Sequence, residues 1–100
     1  MSRRARKRMV EGSVKVVNQL GLHARAAAKL VRLAGAFGSR VHLIRHDRNV
    51  EANAKSILSV LTLAASIGTE LHLRAEGDDE SAAFEAISDL FSTGFGETDR

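Results

Sequence analysis

Apolar and polar positions alternate along four stretches of the chain and recur at helical spacing along three others. In residues 12–18, Val14 and Val16 alternate with Ser13, Lys15 and Val17, which predicts a strand with one mostly apolar face. Gln19, Leu20 and Gly21 then read as a turn. From 24 to 37 the period lengthens: Ala27, Leu30, Val31 and Ala34 form one apolar stripe, while Arg25, Lys29 and Arg32 line another side. Gly35 and Gly38 suit the end of that helix.

Residues 40–46 alternate again, Val41 and Leu43 to one side, His42, Ile44 and His46 to the other. Asp47, Arg48 and Asn49 make a hairpin turn into a short strand at 50–52. A second helix is predicted over 56–65, with Val60, Leu63, Ala64 and Ile67 sharing the core-facing side. Residues 69–75 form the last strand, with Leu71 and Leu73 inward and Glu70, His72 and Arg74 outward. The acids of Gly77-Asp78-Asp79-Glu80 suit the start of a final helix, whose stripe is Phe84, Ile87 and Phe91 with Leu90 assisting. The order is β-α-β-β-α-β-α. One apolar face per element gives an α+β fold: an open-faced β-sandwich, with a four-stranded antiparallel sheet, three helices on one face, and the other face open to water.

Composition narrows what such a domain can do. One hundred residues make about one domain. The absence of cysteine excludes disulfides, thiolate metal sites and thiol nucleophiles, and fits a reducing compartment. The uncharged run from 56 to 69 is too short and too mixed to cross a bilayer, and no apolar signal core follows the basic start. The chain is therefore read as cytoplasmic, with no membrane insertion. The formal charge of +3 is misleading: five of the fifteen Lys and Arg lie in residues 3–8, leaving ten against twelve acids, about −2. Residues 1–9 are read as a basic, disordered arm and 10–97 as the folded domain. The arm has no stacking aromatics beside it, so no nucleic-acid role is expected.

The chemistry concentrates at Gly21-Leu22-His23-Ala24-Arg25. His23 stands at the predicted helix start, where unpaired backbone N–H groups favour an anion. Arg25 adds a forked, permanent cation suited to phosphate oxygens. A neutral imidazole is itself a nucleophile and needs no general base. Spacing alone leaves two readings open: a helix-capping histidine, or one that accepts a phosphoryl group. His42, His46 and His72 on the open face are explained by a polar outer surface, and no metal or cofactor is expected there.

The run from Gly21 through Arg25 and on through Ala26-Ala27-Ala28-Lys29-Leu30-Val31 resembles the active-site segment of the HPr family. These are the histidine phosphocarriers of the phosphoenolpyruvate-dependent phosphotransferase system. Lys55-Ser56-Ile57-Leu58-Ser59-Val60-Leu61-Thr62-Leu63 resembles the family's second-helix signature, in register with the first motif. The resemblance implies that His23 accepts a phosphoryl group through Nδ1 from phosphorylated enzyme I and passes it to a IIA-type domain. Arg25 would hold the phosphate, and the protein would be a carrier used by partner enzymes, not an enzyme with its own turnover. The alternative is an HPr-like regulatory module whose phosphorylation state controls docking to another protein. Ser56 matches the serine that a dedicated HPr kinase/phosphorylase modifies in some branches, but serine is also a preferred helix cap. A monomer is expected.

Two positions depart from the family pattern: Ala26 stands where proline is common, and Ser59 where glycine is. The Ala26 form and the Phe95-Gly96-Glu97 ending are more similar to nitrogen-related or regulatory relatives. Finally, Ile57, Leu58 and Leu61 lie off the core face of the second helix. With Leu22, Lys29 and Arg32 they would form an apolar centre with a basic rim beside His23, which is a docking surface unless a loop covers it.

Overall fold

The computed structural model describes residues 8–97. The predicted basic arm, apart from Arg8 and Met9, lies outside those residues. Strand β1 (Met9–Lys15) is followed by helix α1 (Ala24–Ala34), strands β2 (Arg40–Arg45) and β3 (Val50–Asn53), helix α2 (Ile57–Leu61), strand β4 (Glu70–Glu76) and helix α3 (Glu80–Ser92). A 3-10 turn at Gly94–Gly96 precedes Glu97, the last described residue. The four described strands form one antiparallel sheet in the order β1-β4-β2-β3, with β4 running between β1 and β2. Met9, assigned to the arm by composition, pairs with Glu76 as the first residue of β1.

The alternation of side chains decides which face is covered. Val14, Val41, Leu43, Ala52, Leu71, Leu73 and Ala75 are buried on one face, under the helices. His42, Ile44, His72 and Arg74 are only half-buried on the other. Helix α1 contributes Ala26, Ala27, Leu30 and Ala34 to the core, and α3 contributes Ala83, Ile87 and Phe91. This is the open-faced α+β arrangement expected from the periodicity.

Helix α2 is the exception. It spans Ile57–Leu61, about half of the 56–65 helix that spacing predicts. Val60 and Leu63 are buried as expected, but Ala64 and Ile67 are exposed and Ala65 is buried in their place. The cause is Arg45, which lies at the inner end of β2 and is itself buried. Its Nη1 donates to the carbonyls of Leu63 and Ala64, both at 2.9 Å, while its Nε donates to Asp47 at 2.8 Å. Carbonyls satisfied in this way need no helical partner downstream. The chain turns instead, with Ala64 at φ 47°, and a 3.6-residue period cannot be carried past that point. Helix α1 also stops short of residue 37, at the Gly35 cap.

Candidate functional site

The turn at Gly21 places His23. Gly21 has φ 69°, and a Cβ there would come within 2.6 Å of the Ala65 carbonyl oxygen, so only glycine fits. The next residue, Leu22, donates its N–H to that same carbonyl at 2.9 Å and turns its side chain into the core. It is 5% exposed, which corrects its expected place on a docking surface. His23 follows in extended conformation as the N-cap of α1, and its carbonyl accepts the first helical bond from Ala27 at 2.8 Å.

Both nitrogens of the His23 ring are engaged, and differently. Nδ1 accepts a hydrogen bond from the Arg25 backbone N–H at 3.2 Å, so it carries the lone pair. Nε2 lies 2.5 Å from the Glu97 carboxylate, so it carries the proton. The side chain is 26% exposed, at the surface but not loose. The second carboxylate oxygen of Glu97 accepts from Asn18 Nδ2 at 3.0 Å, and the same amide donates to the Gly21 carbonyl at 2.8 Å. These bonds from Asn18 and His23 hold the Glu97 carboxyl below the usual carboxylate range, so it is ionised at neutral pH.

Arg25 projects from the first turn of α1, exposed, with its guanidinium unpartnered among the described residues. Lys29, one turn on, is half-buried and donates from Nζ to the Phe95 carbonyl at 2.7 Å. Ala26 is completely buried. Arg32 is exposed, Ile57 is 41% and Leu58 78% exposed, and Leu61 packs partly against the core. Ser56 caps α2, its Oγ accepting from the Ser59 N–H at 3.3 Å.

Glu97 and Asn18 are not found by local pattern. Glu97 is 74 residues from His23 in sequence and reaches it only because the chain reverses after α3. The one cue is the pair of glycines around Phe95. On the open face of the sheet, His72 pairs with Glu11 at 2.7 Å, and its ring centroid lies 5.7 Å from that of His46. Among the described residues, no group of three or more His, Asp or Glu side chains is arranged to hold a metal.

The geometry therefore defines an open-faced α+β protein with one oriented imidazole at an anion-receptive helix start. The family model described as "PTS HPr component phosphorylation site" matches residues 10–93. Phosphocarrier protein HPr of Xylella fastidiosa is 48% identical over 89 residues, covering 89% of this chain and 98% of that protein. Phosphocarrier protein NPr of Escherichia coli is 39% identical over 88 residues, covering 88% and 97%. The crystal structure of HPr-C-His from Thermoanaerobacter tengcongensis superposes with a TM-score of 0.83 at 40% identity, covering 89% of this chain and 98% of that one. The chain belongs to the HPr family of phosphocarrier proteins.

Proposed function

We propose that this chain carries a phosphoryl group on Nδ1 of His23, taken from phosphorylated enzyme I and delivered to a IIA-type domain in the cytoplasm. The observation that supports this most is the ring's fixed tautomer. With Nε2–H held by Glu97, the lone pair sits on Nδ1, the nitrogen beside the helix start. In-line attack of that lone pair on phosphorus forms the Nδ1–P bond as the donor's bond to phosphorus breaks, its electron pair returning to the donor. No proton need leave the ring, because Nε2 keeps the one it has. The ring gains positive charge, which the Glu97 carboxylate stabilises, as a carboxylate does for a catalytic imidazolium.

The Arg25 N–H to Nδ1 bond is long for a hydrogen bond and so costs little to release. The freed amide and the Arg25 guanidinium can then turn to the phosphate oxygens, where a charge-assisted fork is strongest. The exposed Ile57 and Leu58 on α2, with the exposed Arg32 on α1, are the surface we assign to partner docking, and α2 packs against α1. An HPr kinase/phosphorylase acting on Ser56 would have to displace the Ser56–Ser59 capping bond. A phosphate there can still accept from the first amides of the helix.

Incubation with phosphoenolpyruvate and enzyme I, followed by intact-mass measurement, tests the proposal. One phosphoryl group should add to the chain, should be lost on acid treatment, and should be absent in His23→Ala. An adduct that survives in His23→Ala, or acid-stable addition, would contradict it.

A further inference from the structure

We propose that Lys29 is a positioning residue for phosphoryl transfer, acting through the backbone of the C-terminal strap, residues 94–97, to seat Glu97 on His23. The proposal rests on His23 as the phosphoryl acceptor. It comes from an unusual stretch of backbone. Gly94, Phe95 and Gly96 all have positive φ, at 64°, 59° and 71°. Two are glycines, but Phe95 is bulky, and a left-handed conformation disfavours such a residue. The strap therefore holds its shape only if contacts on all sides fix it.

Three sets of contacts do so. The Phe95 ring is buried and meets Phe91 edge-on, with centroids 5.0 Å apart. The amides of Gly96 and Glu97 return to the carbonyls of Thr93 and Gly94. The Phe95 carbonyl is left facing α1, and Lys29 Nζ donates to it at 2.7 Å. Lys29 also lies under the next residue, since a Cβ on Gly96 would meet its Nζ at 3.9 Å. Two residues after this anchored carbonyl, Glu97 spans Asn18 and His23. The ammonium thus belongs to an internal link between α1 and the strap. Its charge adds to the field that keeps Glu97 ionised.

The link makes Lys29 distinguishable from a residue that merely meets a partner. The protonation of each His23 ring nitrogen can be read on the free protein by 15N NMR. In Lys29→Met the share of ring protonated at Nε2 should fall toward that of Glu97→Gln. Phosphoryl uptake from enzyme I should slow about tenfold, the lower end of what loss of an orienting partner costs. Lys29→Arg, which can still donate to the carbonyl, should restore both readouts to within about twofold of the parent. In a Glu97→Gln background, Lys29→Met should have no further effect on either. The proposal is overturned if Lys29→Met leaves the tautomer unchanged, or if it slows uptake equally with and without Glu97. A parent chain that takes up no phosphate would defeat the phosphocarrier reading alone, because the tautomer still decides whether Lys29 seats Glu97.

Discussion

At the scale of single residues, Glu97 and Arg25 divide the work on His23 between its two nitrogens. Glu97 holds the Nε2 proton, whereas the Arg25 backbone N–H meets Nδ1, and in the proposed function the Arg25 guanidinium receives the phosphate there. Removing either should therefore slow transfer for different reasons. Arg25→Gln should lower the rate of phosphoryl uptake about 100-fold, the lower end of what loss of a donor aimed at developing charge costs, while leaving the His23 tautomer intact. Glu97→Gln should slow uptake and shift the tautomer together. Stopped-flow uptake rates paired with 15N spectra separate the two. The histidine and arginine were legible in the sequence because they are near neighbours on one helix turn. Glu97 was not, because the contact that gives it a role depends on the fold of the whole chain.

At the scale of elements, two buried or clasped polar groups at helix ends tie distant segments together. Arg45 terminates the α2 region by taking the carbonyls of Leu63 and Ala64. Arg45→Met keeps much of the side-chain bulk but leaves both carbonyls without that donor, which should cost about 2–3 kcal/mol in urea unfolding. Asp79 precedes α3 without capping it. Its carboxylate instead accepts from the N–H groups of Gly38 and Ser39, both at 2.9 Å, and from the Ser39 hydroxyl. These bonds, the Ser39 hydroxyl first, hold Asp79 below the ordinary carboxylate value of 3.8. A depressed carboxylate contributes stability that is present above 3.8 and is lost as pH falls through the lowered value. Asp79→Asn should therefore lower the urea midpoint at neutral pH, and the gap from the parent should close as the pH drops below 3.8. Sequence periodicity located all three helices because each presents an apolar face to the sheet. It overextended α2 because an arginine on an inward-facing strand position looks, in sequence, like any exposed charge.

At the scale of the whole molecule, the sheet and helices hold the two ends of the site in register. α1 supplies His23 and Arg25, and the segment after α3 supplies Glu97. The open-faced layering was legible because inward strand positions are almost uniformly Val, Leu and Ala, whereas the outer face carries His42, His72 and Arg74. The burial of Leu22 was not legible, since its N–H bond to Ala65 joins segments more than forty residues apart. Among the described residues, no helix is long and apolar enough to cross a membrane.

The fold commits the His23 lone pair to Nδ1. Phosphorus–nitrogen correlation NMR on the 15N-histidine-labelled, phosphorylated chain tests it directly. Coupling of phosphorus to Nδ1 of His23, with Nε2 still protonated, is the expected result. Coupling to Nε2, or to any other histidine, would contradict it.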